Sequence, residues 1–177
     1  PDGAHAGFDG GSLGAHDDAS GTRYAYTEAT GNLDTDNHYL MRTPGFVFKN
    51  EMSDPTNSLD LKFYAHMYGS APGVLKVYID DAASSASDEA TLLATSAGSY
   101  NSSTRVVTMT NTAAGNHTSI TPSSATWSGT SSSWVEYVIS LDNYKSSLVT
   151  NYIYFVYEAA NFFTSDFAID DIRLIES

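Results

Sequence analysis

Hydrophobic and polar residues alternate along short segments of this chain, which is the pattern of β-strands with one buried face. The clearest segment is Leu59–Tyr68, where apolar residues at odd positions alternate with polar and ring-bearing residues at even positions. The segments that fit the pattern are residues 24–29, 46–49, 59–68, 74–80, 105–110, 134–141, 152–158 and 167–175. Turn-forming Gly, Asn, Asp, Ser and Pro residues separate them.

Strands of this kind predict an all-β fold, an antiparallel two-sheet β-sandwich of jelly-roll type. Only residues 88–94 resemble a helical turn, with Ser87 or Asp88 as its cap. Residues 98–125 are rich in Ser, Thr, Asn, Gly and Ala, and we interpret them as a polar insert that forms a hairpin or a surface loop. The chain shows no internal repeat and no charged linker, so residues 1–177 are predicted to form a single domain.

The net charge of the chain excludes some classes of binding partner. The 177 residues include 8 Lys and Arg against 21 Asp and Glu, which gives a net charge of −13. The negative electrostatic field of such a chain repels phosphate backbones and anionic lipid surfaces, so we expect no nucleic-acid partner. The sequence also contains no apolar run long enough to span a membrane, so we expect no insertion into a membrane. The absence of cysteine excludes thiol catalysis, thiolate metal sites and disulfide bonds.

Three motifs follow one another in a fixed order along the chain. They are Tyr-Ala-Tyr-Thr-Glu-Ala-Thr at 24–30, then Leu-Lys-Phe-Tyr-Ala-His-Met-Tyr-Gly at 61–69 with Gly-Val-Leu-Lys-Val-Tyr at 73–78, and finally Tyr-Phe-Val-Tyr-Glu-Ala at 154–159 with Asp-Phe-Ala-Ile-Asp-Asp-Ile at 166–172. Together they resemble the MAM domain of adhesion receptors, receptor phosphatases and astacin-type metalloproteases. The resemblance covers about Phe8 to Leu174. It departs from the family pattern in two respects, the missing cysteines and the long insert at 98–125.

The MAM resemblance implies a jelly-roll module that recognises a partner at a cell or virion surface. The partner would be a glycan or a cell-surface protein, and further domains would flank the module in a longer chain. It also places several acidic residues near the meeting point of the first and last strands. Hard oxygen ligands of this kind suit calcium, and the residues predicted to hold a structural calcium ion are Asp9, Asp17, Asp18, Asp170 and Asp171.

The alternation of residues in the last predicted strand supports Asp170 in particular as a calcium ligand. Ala168, Asp170, Ile172 and Leu174 are predicted to share a face, which would set the Asp170 carboxylate at the end of an apolar row. A carboxylate there would need a cation or several hydrogen-bond donors. The alternative is that both aspartates of the Asp170-Asp171 pair are solvated or cap a turn.

Rings on the polar face of the predicted strands form a second set of candidate binding residues. Aromatic faces stack on the C–H faces of sugars, so an array of rings on a sheet is typical of a glycan-binding surface. The alternative is that the rings only cover a sheet or a loop, with His66 as a hydrogen-bonded structural residue and Trp134 in the core. The ligand-binding candidates on strands are Tyr64, His66, Tyr68, Tyr78 and Tyr154, and those in loops are Trp127, Phe162 and Phe163.

Catalytic motifs are missing from the sequence. It contains no His-Glu-x-x-His, no Gly-x-Ser-x-Gly and no phosphate-binding glycine loop. We therefore predict a non-catalytic recognition or adhesion module of a larger secreted or surface protein. Two alternatives remain open: a carbohydrate-binding module attached to a polysaccharide-degrading enzyme, and a structural domain of a fibre or capsid that the insert helps to assemble.

Overall fold

The computed structural model describes residues 24–27, 38–48, 57–68, 72–81, 90–93, 98–101, 103–104, 106–115, 117–126, 134–144, 149–159 and 165–176. The strands of these residues, in chain order, are β1 (Ala25–Thr27), β2 (His38–Arg42), β3 (Leu59–Tyr68), β4 (Val74–Asp80), β5 (Gly98–Asn101), β6 (Val106–Met109), β7 (Thr118–Ser119), β8 (Ser124–Thr126), β9 (Val135–Ser140), β10 (Tyr152–Glu158) and β11 (Asp166–Glu176).

Two four-stranded antiparallel sheets pack face to face, which confirms the predicted β-sandwich. The first sheet has the strand order β1-β11-β3-β9, and the second has the order β2-β10-β4-β7. A small third sheet has the order β5-β6-β8. The chain changes sheet between β3 and β4, so these consecutive strands are not neighbours.

The inner faces of both sheets supply the core. Phe63 of β3 stacks on Tyr137 of β9 with ring centroids 5.2 Å apart, and it meets Phe155 of β10 edge-on at 5.1 Å. Leu61 and Val77 are fully buried in the same cluster. Odd positions of β3 therefore point inward, as the alternation predicts, and the even positions of β3 lie on the outer face of the first sheet.

The insert packs on two buried clusters: Val107 and Met109 of its strand β6 join the core, whereas Ala114 and His117 cover the outer face of the second sheet. Its strands β5, β6 and β8 form the small sheet, and β7 pairs with β4. Residues 90–93 form one helical turn, within the predicted 88–94 segment. Leu92 of this turn and Ala114 of the insert pack against Tyr78, Tyr154 and Val156 of the sheet. Of the two forms predicted for the insert, a hairpin or a surface loop, β5 and β6 form a hairpin. The second buried cluster is made with Leu92 and Ala114.

A β-bulge interrupts the last strand. Asp170 pairs with Tyr64 and Arg173 pairs with Lys62, so three steps along β11 match two steps along β3. Asp171 within the bulge has a φ of 55°, a left-handed conformation that Asp tolerates better than most residues. The prediction that Ala168, Asp170, Ile172 and Leu174 share a face is therefore wrong, because the extra residue places Leu174 opposite the inward-facing Leu61.

Short or irregular strands differ most from the predicted segments. Residues 46–48, the described part of the predicted 46–49 strand, contain only an isolated bridge between Phe46 and Asn151. Strands β2, β5, β7 and β8 lie outside the predicted segments. Among the described residues, no helix has the length and apolar character needed to cross a membrane.

Candidate functional site

A row of side chains crosses the outer face of the first sheet. Tyr26 of β1 pairs with Ala168 of β11, and Ala168 pairs with His66 of β3. Trp134 immediately precedes β9, beside His66. Directly paired residues of antiparallel strands point to the same side, so these four share the outer face. Ala168 is fully buried although it lies on this face, which means that larger neighbours lean over its methyl group.

The covering groups are aromatic. The Tyr24 ring lies 5.6 Å from the Trp134 ring and 5.9 Å from the Tyr26 ring, measured between centroids. The His66 ring lies 5.6 Å from that of Trp134. Tyr24, Tyr26 and Trp134 are half-buried, whereas His66 is almost completely buried. We call Tyr24, Tyr26, Tyr64 and Trp134 the ring cluster, because Tyr64 lies on the same face, two residues before His66.

Carboxylates flank the ring cluster in the neighbouring row. Tyr64 pairs with Asp170 on one side and with Glu136 on the other. Partial desolvation raises the pKa of the Tyr64 hydroxyl, and the Glu136 carboxylate, which accepts a hydrogen bond from it, raises that pKa further. Glu136 is exposed and Asp170 is half-buried. The face thus combines apolar ring surface with hydrogen-bond acceptors.

His66 is held in its neutral form. Burial lowers its pKa from 6.5 to about 4, because the charged imidazolium loses its hydration beneath the rings. This agrees with the interpretation of His66 as a structural residue and argues against a proton-transfer role near neutral pH.

The buried His66 predicts acid sensitivity. Its pKa is lower in the folded state than in the unfolded state, so the unfolded chain binds more protons between about pH 6.5 and 4 and folding is weakened there. Between about pH 7.5 and 4.5 the wild type should lose about 2–3 kcal/mol more unfolding free energy than His66→Phe. Urea unfolding of both proteins at the two pH values measures the difference. Parallel pH profiles would contradict the assignment.

Tyr78 and Tyr154 do not belong to this face, which corrects the prediction of a single ring array. They pair with each other on β4 and β10 of the second sheet, and both are fully buried beneath the insert. Consecutive strands often pair, but the chain changes sheet between β3 and β4, so Tyr78 does not lie beside the rings of β3. Trp134 also differs from its predicted core position, since it lies half-buried on the outer face.

Several predicted site residues cannot be placed on the structure. Tyr68 belongs to β3, but its side chain lies outside the described part. The other candidates outside the described residues are Asp9, Asp17, Asp18, Trp127, Phe162 and Phe163.

The predicted calcium ligands that the structure describes are Asp170 and Asp171. One Asp170 carboxylate oxygen, Oδ1, accepts a hydrogen bond of 2.8 Å from the Asp171 backbone N–H, and Asp171 forms an ion pair with Arg173. The first described strand does pair with the last, as expected. Among the described residues, no three acidic or histidine side chains are grouped to hold a metal ion. Calcium binding therefore stays a prediction.

A polar cluster on the second sheet has no counterpart in the predicted site. The fully buried Lys76 ammonium donates to the Leu92 carbonyl at 3.2 Å and lies 3.7 Å from the Glu158 carboxylate. Burial lowers the pKa of Lys76, and Glu158 opposes that effect. Nearby, the His117 ring lies 3.3 Å from the Asp80 carboxylate and 3.2 Å from the Ala114 carbonyl. These contacts fasten the helical turn and the insert to the sheet.

An apolar cleft of 420 Å³ lies between the edge strands β1 and β2. Met41, Phe155, Phe167 and Ile169 contribute much of its lining. Its described lining also includes the rings of Tyr39 and Tyr157 but no carboxylate, so it differs from the outer face, where carboxylates flank the rings.

Comparisons of the chain with protein-family models, with curated proteins and with solved structures gave no match. The MAM resemblance therefore rests on the sequence motifs themselves.

Proposed function

We propose that the chain is a non-catalytic recognition module and that the outer face of its first sheet binds a glycan. The observation that carries the proposal is the ring cluster, four half-buried aromatic side chains gathered on one sheet face. The corresponding face of the second sheet is packed against the insert, which buries Tyr78 and Tyr154. The two outer faces thus have different roles, and the first sheet carries the binding surface.

The chemistry of the face suits a sugar. Partly exposed rings offer apolar area to the C–H faces of pyranose units. Glu136 and Asp170 lie in the adjoining row, where carboxylate oxygens can accept hydrogen bonds from sugar hydroxyl groups. Apolar surface with a few directional polar groups is the usual composition of a small-molecule site.

The sequence motifs extend the proposal. If the module acts as MAM domains do, it works outside the cell, on a cell or virion surface, as part of a larger protein. A structural calcium ion near the ends of the first and last strands belongs to the same proposal, because the predicted ligands are hard oxygen donors.

Removal of one ring should weaken glycan binding. Tyr24→Ala deletes the ring that contacts both Tyr26 and Trp134, and we expect about tenfold lower affinity, equivalent to about 1.4 kcal/mol of lost contact. Affinity electrophoresis in gels that contain single polysaccharides measures the retardation.

The matched control is Tyr152→Ala, which removes a half-buried tyrosine from the second sheet. Thermal melts of both variants establish that each is folded. If no polysaccharide of a broad panel retards the wild type, or if the control loses as much retardation as Tyr24→Ala, the proposed function is wrong.

A further inference from the structure

The angles between the ring planes of the ring cluster restrict the physical form of the polysaccharide that it can bind. The planes of Tyr24 and Tyr26 meet at 63°, and those of Tyr24 and Trp134 meet at 70°. Both pairs are edge-to-face contacts, in which one ring edge points at the other ring's face. Rings arranged in this way offer separate faces with different directions. A flat crystalline polysaccharide surface needs several coplanar faces, whereas a single chain can turn successive sugar units toward differently tilted rings.

Charge around the cluster gives a second restriction. The row beside the rings has the order Asp170, Tyr64, Glu136, so a carboxylate lies on each side of the tyrosine. The next row holds two basic residues, Lys62 and Arg173, and Arg173 forms an ion pair with Asp171, so Asp170 and Glu136 are the charged residues directly paired with Tyr64. A uronate or sulfate group on the ligand would therefore approach two carboxylates within a chain of net charge −13. A hydroxyl group in the same place would donate hydrogen bonds to them.

We propose that the ring cluster binds single, uncharged polysaccharide chains and discriminates against crystalline surfaces and anionic polymers. The inference rests on the proposed function, and it adds the physical form and the charge of the ligand. Tilted rings determine the first property, and the carboxylates that flank Tyr64 determine the second.

The test uses pairs of polymers whose backbones are identical or closely related. Hydroxyethylcellulose is compared with carboxymethylcellulose, agarose with carrageenan, and amorphous cellulose with crystalline cellulose. At low ionic strength, where charges are least screened, we expect about tenfold or greater preference for the neutral member of at least one pair. We also expect any cellulose binding to favour the amorphous form.

The variant Glu136→Gln tests whether the charge of this one carboxylate contributes to the preference. It keeps a hydrogen-bonding side chain beside Tyr64 but removes one negative charge, so the preference for the neutral polymer should fall by about two- to fivefold at low ionic strength. Asp81→Asn removes an exposed charge at the end of β4 and should leave the preference unchanged.

The outcomes separate this inference from the proposed function. Equal or stronger retention on anionic polymers or on crystalline cellulose, with loss in Tyr24→Ala, would overturn the inference and keep glycan binding. An unchanged preference in Glu136→Gln would overturn the role of the flanking carboxylates. Absence of retention on every polymer would overturn both the inference and the proposed function.

Discussion

Replacement of Gly73 by alanine should abolish the fold or cost at least about 4 kcal/mol of unfolding free energy. A Cβ atom at this position would lie 1.9 Å from the Glu158 backbone carbonyl oxygen and 2.8 Å from the Tyr157 ring. The contact with backbone cannot be relieved by a rotamer change, so the ends of β4 and β10 would have to separate. The buried hydrogen bond of 2.7 Å from the Gly73 N–H to the Tyr157 hydroxyl would be lost as well.

Gly115→Asn is the control for Gly73→Ala. Gly115 has a φ of 60°, which asparagine tolerates, and the atom nearest to an added Cβ is a Thr91 methyl group at 3.2 Å. Urea unfolding should show a change within about 1 kcal/mol for the control. A folded Gly73→Ala protein with wild-type stability would show that β4 and β10 do not approach as closely as described.

Glu158→Gln should lower the unfolding free energy by about 2–3 kcal/mol. The substitution removes the negative charge that lies 3.7 Å from the fully buried Lys76 ammonium, which also donates to the Leu92 carbonyl. The expected loss lies below that of a completely buried pair, because the Glu158 side chain is 28% exposed. Lys76→Met should cost less, within about 1 kcal/mol, since an apolar side chain of similar length fits the row formed with Leu40 and Val156.

The pH dependence of Glu158→Gln supplies an independent check. Burial already lowers the pKa of Lys76 from 10.5, and loss of the glutamate lowers it further. The native state then binds fewer protons than the unfolded state below pH 10.5, so its stability rises as pH increases. The deficit relative to wild type should therefore shrink between about pH 7 and 9, before tyrosines ionise in the unfolded chain. A deficit that is constant or grows over this range would contradict the role of Lys76.

Alternation predicted the long strands well and the short ones poorly. β3, β4 and β10 lie at their predicted bounds, because apolar and polar residues alternate in β3 and β4 and β10 is a continuous run of aromatic and β-branched residues before Glu158. β7 has two residues and β8 has three, and neither is long enough to show a period. Their positions depend on pairing with β4 and β6, which local sequence does not encode.

The candidate site was predicted in part. Tyr64 and His66 were chosen correctly as residues of one outer face, since alternation within a strand determines which side chains share a side. Alternation does not reveal which sheet a strand joins, so the prediction that Tyr78 and Tyr154 share a surface with Tyr64 is wrong. The sequence does not predict Tyr24 and Trp134 as binding candidates on that face. They lie at opposite edges of the first sheet, and their rings meet across β11 and β3, where the small Ala168 is buried.

The ion pair of Lys76 and Glu158 had no sequence signal of its own. Both residues occupy outer positions of their strands, where charged side chains are normally solvated. Lys76 is fully buried here because the helical turn at 90–93 covers it, and its ion-pair partner Glu158 is partly buried. A contact that depends on a distant covering segment cannot be read from the strand alone.

Because the insert covers part of the second sheet, changes in the insert should be linked to changes in that sheet, both in related proteins and in engineered variants. An insertion of mostly small polar residues ordinarily varies or disappears among relatives at little cost. Here the loss of the insert would expose Tyr78 and Tyr154, which pack against Ala114 and His117, so the segment and the sheet surface beneath it are expected to change together. A relative that lacks the insert is expected to carry polar, solvent-compatible residues at positions 78, 154 and 156, and a shortened version of this chain would need the same exchanges.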